Sequence, residues 1–455
     1  MPFELTKSLL DRIRDDVAEG RDSSVEALLS ELHQADVAAI LDRLAEDEAR
    51  YVYRLLEPET AAEVMLELDE ERREQLLGSL TSKEIAEDLL EHIDSDDAAD
   101  VVSELPAEKQ REVISHLDDL EQKEDLEELL TYEEGTAGSL MAKEVVKVQA
   151  DRNVTQAIFE MRQQAQEVEH VYTVYVVDQD DRFVGLVSLK DILFSAEGPR
   201  TLVRDLCQTE VSTIRPDEPA EEAVARMKKY DMAVLPVVDK QGVLIGRITF
   251  DDVMDVMAKE AVEDYQLASG ISEDVDDSDK PWLQIRARLP WLLIGIAGGI
   301  LSSRIISLYE ADLRIDPTMA FFMPLIGATG GNVGVQSSAI VVQGLASGAL
   351  QNVRVGSRLW KEVRVALLNA LICGSLIFLV NTLLQQTHAL TFTVSLALFT
   401  VIITAAFFGT LTPLLMNKLK VDPALATGPF VTTLNDIFGL LTYFSVGHIM
   451  YGIFR

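Results

Sequence analysis

Apolar residues recur in pairs four apart from Ile40 to Leu117: Ile40/Leu44, Val52/Leu56, Val64/Leu68, Leu76/Leu80, Leu89/Ile93, Val101/Leu105 and Val113/Leu117. Twelve or 13 residues separate one pair from the next. Residues four apart share a helix face, so each pair marks one short amphipathic helix. Helix-start residues accompany the pairs: Asp36, Asp47, Thr60, Asp69, Thr81 and Ser95, with Thr81 and Glu84 spaced as a capping box. Helices this short cannot fold alone. The pattern predicts that residues 1–135 form an α-helical superhelix in which each unit stacks on its neighbours. Such a solenoid is commonly a binding scaffold, and nothing in the repeat is catalytic.

From about residue 138 the periodicity becomes strand-like, and a second repeat appears. Val174-Tyr-Val-Val-Asp178 lies over Leu235-Pro-Val-Val-Asp239 at a shift of 61, which also places Gly185 on Gly246, Ser188 on Thr249 and Asp191 on Asp252. Each copy reads as helix, two strands and helix; in the first these are Asn153 to Met161, Val171 to Val177, Phe183 to Ser188 and Lys190 to Phe194. The two copies, 138–200 and 201–258, resemble a tandem pair of CBS domains, an α/β regulatory module. In that family the Gly-x-x-[Ser/Thr]-x-x-Asp ending often lies beside a nucleotide ribose. The resemblance therefore implies Ser188, Asp191, Thr249 and Asp252 as contacts to ATP or another adenine nucleotide. The alternative is that each Asp only caps the helix that follows.

After an acidic helix and linker at 259–282, the chain from 283 to 455 carries five apolar stretches near the length a membrane-crossing helix needs. They lie at about 290–309, 318–346, 363–384, 391–416 and 426–452. Five spans put Arg286, Arg288, Arg354, Arg358, Lys361, Arg364, Lys418 and Lys420 on one side. By the positive-inside tendency that side is cytoplasmic, with the soluble half inside and the C-terminus at Arg455 outside, as in a multi-pass protein of the cell (inner) membrane.

Charge divides the chain in the same place. Up to residue 282 there are 70 acids and 29 bases, net −41; beyond it there are six acids and eleven bases, net +5, giving −36 in all. An acidic surface argues against nucleic acid as a partner, whose phosphates require Lys and Arg clusters. It also repels itself unless cations neutralise it, although a charge run is ordinarily just a solvated face. Two cysteines, Cys207 and Cys373, offer no disulfide framework or Cys-based zinc site. Met1 to Gly20 has no apolar core of a secretory signal.

Within the expected spans one acid stands alone, Asp436, between Asn435 and Ile437. A carboxylate in hydrocarbon costs several kcal/mol unless it faces water, a cation or a partner, which makes it a functional candidate. The structural alternative is a salt bridge to Arg304. Ahead of it, Asp422-Pro-Ala-Leu-Ala-Thr-Gly-Pro-Phe-Val-Thr-Thr-Leu-Asn-Asp436 brings Pro423, Gly428 and Pro429 to the mouth of a span. There interrupted hydrogen bonding frees carbonyls, which is tolerable only beside a cavity. In the second span Gly327-Ala-Thr-Gly-Gly-Asn-Val-Gly-Val-Gln336 reads equally as close helix packing and as pore lining through Asn332 and Gln336.

The order of acidic superhelix, CBS pair, acidic linker and five spans, together with Pro324 to Gln336 and Asp422 to Gly439, resembles the MgtE family of magnesium channels along essentially the whole chain. The resemblance implies a homodimer in the lipid bilayer with a pore on its twofold axis. It implies Asp436 as the acid that binds hydrated Mg²⁺, with Asn435, Thr432, Gly428, Asp422 and Asn332 at the pore. It further implies acids that bind Mg²⁺ to close the pore: Asp96 and Asp100 in the superhelix, Glu221, Asp231, Asp252 and Asp255 in the second CBS copy, and Glu260, Glu263 and Asp264 on the linker. Mn²⁺ and Co²⁺ share such oxygen-donor sites. Two other classes compete: a membrane-anchored enzyme controlled by nucleotide, and a Mg²⁺ sensor that does not conduct. The membrane half has no HExxH, CxxC or Gly-x-Ser-x-Gly, so no enzyme is expected. A sensor needs no acid within a span.

Overall fold

A computed structural model describes residues 5–164, 171, 173–194, 198–272, 275, 280–346, 349–350, 354–426 and 428–454. Arg455, Thr427 and residues 273, 274 and 276–279 of the expected linker lie outside the described residues. The chain forms two compact units, Met1–Ala258 and Lys259–Arg455.

The first unit opens with the helical superhelix: α1 (Lys7–Ala18), α2 (Asp22–Leu29), α3 (Gln34–Leu41), α4 (Glu46–Tyr53), α5 (Pro58–Leu66), α6 (Glu70–Ser79), α7 (Ser82–Glu84, widening into a π turn through Leu89), α8 (Ser95–Ser103), α9 (Ala107–His116) and α10 (Leu120–Leu129). The first residue of every four-apart pair, from Ile40 to Val113, is at most 1% exposed, and together they make one continuous core. Asp69 and Thr81 occupy N-caps as expected, and the capping box closes with Thr81 N donating to Glu84 Oε2 at 2.7 Å and Glu84 N to Thr81 Oγ1 at 3.2 Å. Asp36, Asp47 and Thr60 instead fall in the first turn behind His33, Ala45 and Glu57, and Ser95 follows the cap residue Asp94. First-turn acids face the positive helix end whether or not they cap it, so a start signal tolerates such slippage.

The CBS pair follows, built from two small sheets. In the first, β1 (Lys147–Gln149) runs parallel to β2 (Val174–Val177), which pairs antiparallel with β3 (Phe183–Val187), and α11 (Val154–Gln164) and α12 (Leu189–Leu193) flank them. After α13 (Val203–Leu206) and α14 (Ala220–Tyr230), β4 (Val234–Val238) pairs antiparallel with β5 (Leu244–Thr249), and α15 (Phe250–Ser269) begins. The copies exchange edges. The opening segment of the first copy pairs with the last strand of the second, Ala142 N to Arg247 O at 2.9 Å and back at 2.8 Å. The opening segment of the second copy pairs with β3, Leu186 N to Gln208 O at 3.1 Å and back at 2.8 Å. That crossing explains the repeat-matched glycines: a Cβ on Gly185 would overlap Gln208, and one on Gly246 would lie 2.6 Å from the Ala142 carbonyl. Tyr175, Val177, Val234 and Leu244 form a core shared by both sheets.

The second unit holds five helices long and apolar enough to cross a membrane. They are α16 (Pro281–Leu308); α18 (Met323–Ala346), reached through α17 (Glu310–Ile315) and a 3-10 turn at Pro317–Phe322; α19 (Val355–Leu383); α20 (His388–Lys418); and α21 (Gly428–Phe454), preceded by a 3-10 turn at Pro423–Ala426. Half of the apolar window of α20 is buried against 11% for α16 and 17% for α19, so α20 is the centre of the bundle. Two helices run past the apolar stretches. α16 begins at Pro281 rather than near 290, and α19 at Val355 rather than 363, so Arg286, Arg288, Arg358 and Glu362 stand inside helices. Hydropathy ends where charges begin, but a helix continues through them because long basic side chains reach back to water.

Candidate functional site

Acids from three elements meet in the first unit. α8 begins at Ser95, presenting Asp94, Asp96 and Asp97 in and before its first turn. Asp94, Asp96 and Glu144 bring carboxylate oxygens within 4.8 Å of one another. Glu144 is held by Ser95, whose N and Oγ donate at 3.1 and 3.0 Å, and Asp94 by buried Arg247 at 2.7 Å. Asp252, early in α15, accepts from Thr249 N and Oγ1, each at 2.7 Å, and faces Asp96 and Asp97. Burial and the neighbouring Asp252 push the Asp96 carboxyl well above the ordinary range, and the same causes raise Asp97 to about 7. Burial and then Glu104 raise Asp100 to about 6 against the pull of Arg73, and burial and then Asp94 raise Glu144. Two arginines, Arg247 and Arg73, do not neutralise this many carboxylates. Hard oxygen donors at such spacing match a magnesium-type cation held partly through its waters.

In the second unit the approach to α21 is bent. Gly428 has φ +48°, a conformation that suits glycine, and any Cβ there would overlap the Ala268 carbonyl at the end of α15. Asp422 accepts from Ala424 N at 2.7 Å, and Asp264 on α15 is raised by burial and by the charge of Asp422. Thus two acids come together beside the interrupted helix.

Deeper in the bundle Asp436 borders a cavity of about 330 Å³ with Gly298, Ser302, Pro324, Gly327 and Thr433. Gly327 leaves the carboxylate room, since a Cβ there would stand 3.4 Å from Oδ1. Among the described residues Asp436 has no hydrogen bond or ion pair, and Arg304 is exposed and does not reach it. The glycine-rich stretch supports the close-packing reading. Gly330, Gly331 and Gly334 are buried against Val401, Thr432 and Asn435, whereas Pro324, Ala328, Asn332 and Gln336, each four apart, form an exposed stripe.

Several expected site residues lie apart. Asn435 is 2% exposed and packs against Gly334, and Thr432 donates to the Gly428 carbonyl at 2.9 Å, so neither joins the residues that line the Asp436 cavity. Glu221 and Asp231 stand at opposite ends of α14, too far apart to share an ion. Asp255 is raised by burial and then by Asp251, and Glu260 and Glu263 follow on α15. Ser188 accepts from Asp191 N at 3.0 Å and donates to its carboxylate at 2.7 Å, so this pair caps α12, whereas at α15 only the hydroxyl-to-carboxylate bond recurs and the Thr249 N–H donates to the same Asp252 carboxylate. The sequence reading missed Asp94, Asp97 and Glu144. The Ser-Asp-Asp run was visible, but only the docking of residue 142 on β5 brings Glu144 to it. It also missed Glu362, 8% exposed inside α19, so Asp436 does not stand alone among the acids of the long helices.

The family model described as MgtE, divalent cation transporter, matches residues 323–446; the MgtE intracellular N domain matches 32–135, and CBS domains match 137–198 and 203–259. The chain is 34% identical over 445 residues to the magnesium transporter MgtE of Thermus thermophilus, covering 96% of this chain and 97% of that protein. It is 33% identical to the Bacillus subtilis protein of the same name over 318 residues, 70% of each. A crystal structure of the cytosolic domain of the Mg²⁺ channel MgtE in complex with ATP is 34% identical with a TM-score of 0.50, covering 54% of this chain and 99% of that one. The soluble part of a magnesium transporter also aligns with a TM-score of 0.50 at 27% identity, over 56% of this chain and 99% of that one.

Proposed function

The chain belongs to the MgtE family of magnesium transporters, and from that premise we propose that it conducts Mg²⁺ past Asp436 and that Mg²⁺ at the soluble half closes the path. The observation that carries the reading is a carboxylate in a membrane helix that borders an open cavity and has no protein partner among the described residues. Such a group is stabilised by a cation and its water. Mg²⁺ gives up water reluctantly and is held by one or two carboxylates, so a single Asp436 per chain suits a homodimer that places two around one axis. The exposed stripe of Pro324, Ala328, Asn332 and Gln336 supplies a small, polar face for that assembly.

Regulation follows from charge. Asp94, Asp96, Asp97, Glu144 and Asp252 would hold the regulatory ion in the first unit, and Asp264 with Asp422 a second in the other. Unneutralised carboxylates 4 Å apart repel by about 1 to 4 kcal/mol per pair, so the compact state gains most from cations and their rise shifts the population toward it. An adenine nucleotide at the CBS pair is consistent with the ATP complex of the related cytosolic domain. The basic residues at one end of the spans support a cytoplasmic soluble half and an outside C-terminus, by the positive-inside tendency.

The test is Mg²⁺ flux into liposomes carrying purified protein. Asp436→Ala should abolish flux or cut it at least about tenfold while insertion and dimer formation persist. Undiminished flux would remove Asp436 from the path.

A further inference from the structure

A second acid of the bundle, this one buried, has no part in the ion path proposed above, and its surroundings say what it does. Glu362 lies near the start of α19, 8% exposed, with Arg358 one turn before it at 3.7 Å and about equally buried. Its Oε1 accepts from Ser337 Oγ on α18 at 2.8 Å. The next residue, Ser338, is fully buried and donates its hydroxyl to the Ala426 carbonyl at 2.7 Å. Ala426 ends the 3-10 turn that leads into α21 through Gly428 and its positive φ.

The Arg358–Glu362 pair lies within α19 and is weak evidence of stabilisation, because desolvation offsets the attraction; a buried ion pair commonly fixes one arrangement among several, and this one reaches α18 through the Ser337 hydroxyl. Here the arrangement fixed is that of α18. Neighbouring residues on that helix are held from two sides, Ser337 by α19 and Ser338 by the carbonyl that precedes α21. We infer that Glu362 is a positioning residue for conduction: through Ser337 and Ser338 it sets the interrupted backbone at Ala426, and so the aim of the helix that carries Asp436. This rests on the reading that ions pass Asp436.

The experiment is flux of Mg²⁺ in liposomes of the full chain for Glu362→Ala, Glu362→Gln, Ser337→Ala, Ser338→Ala and the Glu362→Ala/Ser338→Ala double variant. Maximal flux, half-saturating Mg²⁺ and melting temperature are all read. Removing a hydrogen bond to a charged or buried group corresponds to about tenfold, so Glu362→Ala and Ser338→Ala should each lower maximal flux by about that factor. The double variant should also lose about tenfold rather than about a hundredfold, since both act through one chain of contacts. Glu362→Gln keeps an oxygen to accept from Ser337 and should retain most of the flux. Half-saturating Mg²⁺ should change by less than maximal flux, because the Asp436 carboxylate itself is retained. Near-native flux in Glu362→Ala, losses that multiply, or a Gln variant as impaired as Ala would overturn the inference. Should Glu362→Ala fail to insert, Ser337→Ala with Ser338→Ala decides the matter by the same rule. Asp436→Ala runs alongside: normal flux there sinks the conduction path, while the coupling of Glu362 to Ser338 is still read on the flux of the single and double variants, which keep Asp436.

Discussion

Removing one charge from the acidic cluster should tighten it, and Asp97→Asn is the cleanest way to ask. Asp97 lies in the first turn of α8, facing Asp252, Asp94 and Asp100, and its carboxyl is raised from 3.8 to about 7, first by burial and then by Asp252. A shift of that size corresponds to about 4 kcal/mol. Because Asp96 and Asp252 share the repulsion and solvent reaches the side chain, about 2 kcal/mol is the expected gain from deleting one charge. A raised carboxyl value means the packed state holds a proton that the open state has released. The penalty is therefore absent below about pH 3.8, grows as pH climbs and is complete above about pH 7. Amide hydrogen exchange of α8 in the full-length protein reads it directly. At pH 7.5 without Mg²⁺ the variant should be protected about thirtyfold more than the unaltered chain, and at pH 4 about equally. Millimolar Mg²⁺ should raise protection in the unaltered chain more than in Asp97→Asn, which has lost one acid of the site. Equal protection at pH 7.5, or the same gain at both pH values, would show that the cluster is a solvated surface with no stored repulsion.

Replacing Asp252, Asp255 and Glu263 together by Asn or Ala should leave conduction intact and weaken its inhibition by Mg²⁺ on the soluble side, read as a shift of at least about tenfold in the inhibiting concentration; normal inhibition would refute the sensing role of these acids. Gly428→Ala should destabilise the second unit by at least about 1–2 kcal/mol, since Ala resists positive φ and its Cβ meets the Ala268 carbonyl rather than a movable side chain. Faster exchange of the amides at residues 264–272 would report the displacement, and unchanged exchange would mean that the contact is dispensable.

Much of the architecture was legible because it repeats or alternates. The four-apart pairs had to be buried on one helix face, the 61-residue shift had to produce two like folds, and stretches of apolar residues near 20 long have few homes other than a bilayer. The resemblance drawn from those parts led to the same family that similarity to known transporters then established. Asp436 was also legible, because one acid amid apolar residues is a local anomaly visible without any fold.

What escaped was everything that depends on where distant segments meet. Glu144 lies 49 residues from Ser95, and only the pairing of Ala142 with Arg247 carries it to the acids of α8. Glu362 looked like part of a basic loop until α19 extended through it and Ser337 approached from α18. Asn435 and Thr432 share a segment with Asp436, yet the close approach of α21 to Gly334 turns Asn435 into the packing while Asp436 borders the cavity. Periodicity along a chain fixes which face of an element avoids water, for that is a property of neighbours in sequence. Which two faces then meet, and which carboxylate is left without a partner, is decided by packing between elements, and a single sequence holds no record of that distance.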